Sequence, residues 1–403
     1  GEDCTEFWGV GGVSIGFPRK KLTDVVFFQE GPGLRKWQWT DTGMKVINVT
    51  NLLGNEAYTV DTTNTDKYIS LVEFEAKYKH FEVNNGDLVV ASSGNTYGKV
   101  GRITERNLPL MMNTSVIRFR SIEQSELDDR YLFCFLRSND FRGQVDSFVT
   151  GGAQPNFGPT HLKKMDIPVP EISIQKKIGS IIVAYDDLIE NNRRRIQLLE
   201  ESARLLYKEW FVQLRFPGHE HVKIVDGVPE GWAHLTVGTL LGKIKRKGKV
   251  KKDDYKADGV LACVDQSKEF IGGYIDSTEL AIVDELPILV FGDHTRVVKY
   301  IDFPFAPGAD GTQLLIPKSN EIPRVFFYFL IAGINLANAF YARHFKFLKA
   351  TEVLVPKKEL MRLFEDSVST NMNQISLLRE QNKKLSKARD ILLPRLMNGT
   401  LTV

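Results

Sequence analysis

The apolar positions of this chain fall into two rhythms that alternate twice along its length. In the first stretch, short β-type runs such as Met44–Val49, Asp87–Ala91 and Ser115–Phe119 accompany one helical pattern around Leu127–Asn139. Turn signals at Gly54-Asn55, Asn85-Gly86-Asp87 and Gly151-Gly152 separate them. The rhythm then changes: Ile182, Tyr185, Ile189, Asn192, Ile196, Leu199, Ala203, Leu206 and Trp210 follow spacings of three and four, the seam of a long helix. A second strand-and-turn stretch leads to a second seam, Val368, Asn371, Ile375, Leu378, Asn382, Leu385, Arg389 and Leu392. Neither helix buries its stripe alone, so each is the natural partner of the other. The spacing leaves parallel and antiparallel pairing open, as well as the alternative that each helix packs on its own globule. Asn192 and Asn382 interrupt the seams, and a buried amide there fixes register.

The two strand-and-turn stretches also echo one another. Gly86-Asp87-Leu88-Val89-Val90 and Gly94-Asn95-Thr96 are answered by Leu286-Pro287-Ile288-Leu289-Val290 and Gly292-Asp293-His294. Tyr131–Leu136 is answered by Val325–Leu330, and Ile167-Pro168-Val169-Pro170 by Val353-Leu354-Val355-Pro356. The order is globule, helix, globule, helix. The expected boundaries are a flexible leader at 1–16, a first globule at 17–170, a first spacer helix at 171–214, a linker at 215–229, a second globule at 230–356 and a second spacer helix at 357–403. A helix of about 30 residues spans about 45 Å, which is about 13 base pairs of B-DNA.

Composition narrows the class. With 403 residues, 42% apolar and 26% charged, the chain has the make-up of a soluble globular protein with room for two cores. No apolar run reaches the roughly 20 residues that span a bilayer, and a cytoplasmic location is expected. Cys4, Cys134 and Cys263 lie too far apart to suggest a disulfide framework or a zinc site. The net charge of +3 says little, but its distribution places a basic run at Lys243–Lys252. That run reads either as a solvated loop or as a phosphate-contacting patch.

No catalytic constellation is visible. Gly94-Asn95-Thr96-Tyr97-Gly98-Lys99 lacks the glycine spacing and the hydroxyl residue after lysine that a P-loop needs. The same turn suits DNA backbone contact through Asn95, Tyr97, Lys99 and Arg102, or is an ordinary hairpin. Asp302-Phe303-Pro304-Phe305 only faintly resembles an amino-methyltransferase motif and reads as a surface strand end. The seven histidines have no metal-ligand spacing. Asp186-Asp187 and Asp253-Asp254 read as helix-surface and loop charges.

Three segments carry a family resemblance. They are Gly151-Gly152-Ala153-Gln154-Pro155-Asn156-Phe157 leading through Leu162–Pro170 to Ile174-Gln175-Lys176-Lys177-Ile178, then Val228-Pro229-Glu230-Gly231-Trp232, and finally Ile391–Gly399. In this order, with the duplicated plan, the chain resembles the specificity subunit of a type I restriction–modification enzyme, over nearly its whole length from about residue 17. The resemblance implies a mixed α+β fold, with two similar target recognition domains separated by two long α-helices in an antiparallel coiled coil. It implies that each domain reads half of a split double-stranded DNA target, while the helices set the spacer and dock methyltransferase subunits. A restriction and translocation subunit joins in the full complex. No cofactor is expected in this chain: S-adenosylmethionine, ATP and Mg belong to the partner subunits. The second copy departs from the first, with Lys349-Ala350-Thr351-Glu352 for Lys163-Lys164-Met165-Asp166 and Lys358-Glu359-Leu360-Met361 for the Gln175 opening, which points to an asymmetric target. A self-contained methyltransferase or nuclease, and a duplicated protein-binding scaffold, are the other readings.

Base readout needs Arg or Lys for guanine and Asn or Gln for adenine. In the first globule the DNA-contact candidates are Arg35, Lys36, Asn95, Tyr97, Lys99, Arg102, Gln154 and Asn156. In the second they are Lys245, Arg246, Lys247, His294, Arg296, Arg343, His344 and Lys346. Tyr341–Lys349, where cations and aromatics interleave, is the best cluster; the competing reading is a core edge with its cations facing solvent.

Overall fold

The continuous apolar runs Leu88–Ala91 and Ile288–Gly292 are buried at every position. Such a run, without alternation, marks a strand covered on both faces. A computed structural model of the protein describes residues 16–52, 58–63, 65–94, 97–148, 156–245, 248–282, 285–309, 311–336 and 343–403. The chain divides into two compact units: the described residues up to Arg193 together with Glu380–Val403, and Arg194–Arg379.

The first unit opens with β1 (Arg19–Lys21), α1 (Leu22–Val25), β2 (Val26–Glu30), β3 (Met44–Ile47), β4 (Tyr68–Ile69) and α2 (Leu71–Glu73). It continues through β5 (Leu88–Ala91), β6 (Val100–Arg102), β7 (Met111–Met112), β8 (Val116–Ser121), α3 (Asp129–Leu136), α4 (Asn139–Phe148), α5 (Pro159–Leu162) and β9 (Asp166–Pro168) into the long helix α6 (Ile172–Tyr207). The strands make a sheet of order β2-β8-β5-β6, a sheet of order β4-β3-β7 and the pair β1-β9. Strand alternation splits β5 between two cores: Leu88 and Val90 face the one that also holds the buried face of α3, while Val89 and Ala91 face the second sheet.

The second unit repeats this plan. After the hairpin β10 (Ile224–Val225) and β11 (Val228–Pro229) come β12 (Ala233–Thr236), α7 (Val237–Leu240), β13 (Leu261–Val264), β14 (Gly273–Ile275) and β15 (Ile288–Gly292). Then follow β16 (Val298–Ile301), β17 (Phe305–Pro307), β18 (Thr312–Leu315), α8 (Arg324–Ala332), α9 (His344–Ala350), β19 (Glu352–Val355) and α10 (Lys358–Met397). Sheets β16-β15-β18 and β14-β13-β17, with the pair β12-β19, mirror the first unit. A parallel strand pairing recurs as well, Val46 opposite Met111 and Ala262 opposite Phe305. Leu289 and Phe291 of β15 face the core holding α8, and Ile288 and Val290 face the other.

The long helices run for 36 and 40 residues. In the first unit the Asn192 amide donates to Asn382 Oδ1 at 3.0 Å, and Asp186 meets Arg389 Nη1 at 2.9 Å. In the second, Glu200 meets Arg379 at 2.7 Å and the Tyr207 ring lies 5.8 Å from Phe364. Partner numbers fall as residue numbers rise, so within each unit the helices pair antiparallel. Pairing and packing on the globule both occur: Ile178 and Ile182 with Leu393 and Leu396 complete the first core, and Tyr207 and Trp210 with Phe364 and Val368 complete the second.

The seam departs from the heptad reading towards the ends. Ile182, Ile189, Asn192, Val368, Ile375 and Leu378 are buried, whereas Tyr185, Ile196, Leu199, Leu206, Asn371, Asn382, Leu385 and Leu392 are half-buried. Asp186, Met372, Arg389 and Leu393 are buried, three of them one position beyond the predicted residue. A straight helix drifts about 20° per heptad against a 3.5-residue repeat, which moves the buried stripe by one position. Asp186 therefore is not the surface charge that the sequence suggests, while its neighbour Asp187 is exposed. Gln175, fully buried, ties the start of α6 to the first globule by donating to Pro170 O at 2.7 Å and Glu126 O at 3.0 Å and accepting from Asp128 N at 3.0 Å.

Candidate nucleic-acid interface

The interface candidates gather where the turn after each central strand meets the segment before each closing strand. In the first unit Phe157 N donates to Ser92 O at 3.0 Å, and Ser93 bridges Asn156. Asn156, exposed, thereby sits beside the turn that carries Tyr97 and Lys99. Gly98 holds that turn with φ of +76°, and a Cβ there would come within 2.6 Å of Arg142 Nη1. Lys99 projects into solvent. Tyr97 is engaged within the fold: its hydroxyl donates to Asp146 at 2.9 Å, and the Arg142 guanidinium lies 4.1 Å from its ring. Arg102 is engaged too, with Nη2 donating to Asp187 Oδ1 at 2.6 Å, which braces β6 against α6. Arg35 and Lys36 are exposed at a short turn elsewhere on this unit. Asn95, Gln154, Arg246 and Lys247 lie outside the described residues, as do Cys4, Gly151-Gly152 and Tyr341-Ala342.

The second unit assembles its candidates more tightly. Asp293, only 3% exposed, accepts from Phe345 N at 2.8 Å through its carboxylate and from His344 N at 3.1 Å through its carbonyl. Its own N–H donates to Gly311 O at 2.7 Å. Gln266 accepts from His294 N at 3.1 Å, and its carbonyl accepts from Thr295 Oγ1 at 2.5 Å. These bonds hold His294 and Arg296 at one edge with Arg343, His344 and Lys346 at the start of α9. Arg296 takes φ of +63° and donates to Leu336 O at 3.4 Å. His344 keeps a buried Nδ1 without a hydrogen-bond partner among the described residues. Arg296, Arg343 and Lys346 make no ion pair among the described residues, and all three are exposed, so their charge is available to an anion. Lys245 is exposed in the basic run, which Val250 anchors beside Gly308.

Sequence reasoning missed Asp293 and Gln266 as positioning residues, because a buried acid and amide in a turn read like surface polarity until their backbone partners are known. It also missed Lys299 of β16, buried, whose ammonium donates to the carbonyls of Asp265 at 2.8 Å and of Glu269. Burial pushes that ammonium down to about 8. Asp302 is exposed and accepts from Ser376 Oγ. Cys134 and Cys263 are free and buried, and burial pushes their thiols up to about 12 and about 11. Among the described residues no helix is long and apolar enough to cross a membrane, and no cluster of His, Cys, Asp and Glu is placed to hold a metal.

The sequence model of the type I restriction modification DNA specificity domain matches residues 16–201. The chain is 23% identical over 330 residues to the type I restriction enzyme MjaIX specificity subunit of Methanocaldococcus jannaschii, covering 75% of this chain and 76% of that protein. It is 21% identical over 362 residues to the HindI specificity subunit of Haemophilus influenzae, covering 67% of this chain and 77% of the relative. Among solved structures, the type I restriction–modification system S subunit from M. genitalium shares the fold, with a TM-score of 0.55 and 17% identity over 96% of this chain and 97% of that one.

Proposed function

We propose, from the premise that the chain belongs to the family of type I restriction–modification specificity subunits, that each of its units reads one half of a bipartite, asymmetric DNA target. The chain is the DNA-recognition subunit. The observation that carries the two-part reading is the repeated construction: in each unit the turn after the central strand is tied to the segment before the closing strand. The residues presented there differ, Lys99 and Asn156 in the first unit and His294, Arg296, Arg343 and Lys346 in the second. Different groups at equivalent places read different bases, because guanine, adenine, cytosine and thymine offer distinct edges in the major groove. The sequence boundaries 17–170 and 230–356 delimit the two proposed recognition domains.

Specificity subunits of this family are non-catalytic. In this reading methyl transfer belongs to methyltransferase subunits and cleavage to a translocating nuclease subunit, and S-adenosylmethionine, ATP and Mg are bound there. The paired helices set the distance between half-sites and dock the methyltransferase. The proposed setting is the cytoplasm.

Duplex binding by the chain assembled with its methyltransferase should weaken steeply as salt rises, since phosphate contacts release counterions. Arg343→Ala and Lys346→Ala should each either lower the salt slope by about 1, as phosphate contacts, or relax preference at a single base pair, as base contacts. Salt-independent binding, or binding that neither substitution alters, contradicts the assignment of this edge.

A further inference from the structure

Two tryptophans of one loop meet opposite fates. Trp39 packs against the small core around Met44 and Phe74, and the Lys67 ammonium lies 5.4 Å from its ring centroid. Trp37, two residues earlier, is 76% exposed. Its turn, Lys36–Gln38, is nonetheless held firmly. Gln38 is buried; its Oε1 accepts from Arg35 N at 2.7 Å, and its amide donates to Glu73 at 2.8 Å and to Tyr78 Oη at 3.0 Å. The turn is therefore a rigid pedestal that holds an indole in water.

Several arginines of the unit are neutralised within the fold. Arg19, Arg102, Arg120, Arg130, Arg137 and Arg142 each pair with a carboxylate. Arg35 and Lys36, both exposed and directly before Trp37, make no ion pair among the described residues. A large aromatic surface with unneutralised cations on a fixed support suits stacked bases bordered by phosphates.

We propose that Trp37 stacks against bases of the half-site read by the first unit, with Arg35 and Lys36 on the flanking phosphates. This rests on the DNA-recognition reading and adds to it a specific wedge, carried by a turn other than the one that holds Lys99. The exposed aliphatics Leu71 and Val72, next to the Glu73 that braces the turn, make a protein surface the competing occupant.

The test uses the chain assembled with its methyltransferase and a duplex carrying the target. Trp37→Ala should leave the thermal unfolding midpoint unchanged, because the indole touches little of the fold. It should weaken duplex binding about 10- to 100-fold, the range expected for a base-stacking aromatic, and Trp37→Phe should restore most of the loss. Indole fluorescence quenched on DNA addition should lose the share of one tryptophan in Trp37→Phe. Wild-type affinity in Trp37→Ala overturns the proposal and leaves the DNA-recognition reading standing. Weakened assembly with the methyltransferase, at unchanged DNA affinity per assembled complex, overturns it in favour of protein docking. If the wild-type assembly itself fails to bind duplex, the proposal and the reading beneath it both fall.

Discussion

Replacing Asp186 by leucine is expected to destabilise the first unit by about 3–5 kcal/mol, the cost of stranding buried charge. Asp186 is buried on α6 between two arginines that have almost no exposed side chain. Arg137, at the end of α3, donates to both its oxygens, and Arg389 of α10 donates to Oδ1 at 2.9 Å. Both guanidiniums also lie over the Tyr58 ring, at 3.5 and 4.7 Å. Without the carboxylate the two cations face each other in a site of low polarity, and among the described residues Arg389 alone keeps another carboxylate, Asp390. Asp186→Asn keeps an acceptor and should lose less. The triple variant with Arg137→Met, Asp186→Leu and Arg389→Met should recover much of the loss, because a well-packed apolar replacement removes the desolvation cost along with the pair. Denaturant unfolding that follows each unit separately is the measurement, since two units need not melt together. A loss below about 1 kcal/mol for Asp186→Leu, the level typical of exposed pairs, sinks this account of the network.

Phe364→Ala is expected to cost the second unit a similar amount, about 3–5 kcal/mol. Phe364 is fully buried on α10 and meets five aromatic rings, those of Tyr207, Trp210, Phe211, Phe326 and Phe329, at centroid distances of 5.3–6.5 Å. Tyr207 ends α6, Trp210 and Phe211 lie in the helical turn Lys208–Val212 that directly follows it, and the other two belong to α8, so one ring joins the helix pair to the globule of its unit. Edge-to-face rings cannot close in on a vacated site without losing their own geometry, which places the expected loss high in the range. Phe364→Leu retains more volume and should lose less. The first unit's transition should stay put in both variants; a shift there, or no loss in the second, contradicts the packing described.

The duplicated plan, the long helices and the central strands were legible in the sequence because each rests on a periodic or repeated pattern. Leu88–Ala91 and Ile288–Gly292 stand out as unbroken apolar runs, and the existence of the seam, though not every position in it, follows from spacing. What escaped depends on partners far away in the chain. Nothing local distinguishes Asp186, which binds arginines 49 positions before and 203 after it, from exposed Asp187. The same holds for Asp293, whose value lies in backbone groups more than 50 residues later. Among the candidate contacts, cation-rich composition found Arg343 and Lys346 but could not separate them from Arg102, which is occupied by Asp187. Trp37 went unremarked because one aromatic among Arg35, Lys36 and Trp39 looks like core until its exposure is known.

The most direct test is to map methylated adenines in DNA exposed to the chain assembled with its methyltransferase. A two-headed reader with unequal edges predicts one motif made of two different half-sites, separated by a gap of fixed length and indifferent sequence. A single continuous palindrome, or methylation by this chain without its partner, contradicts it.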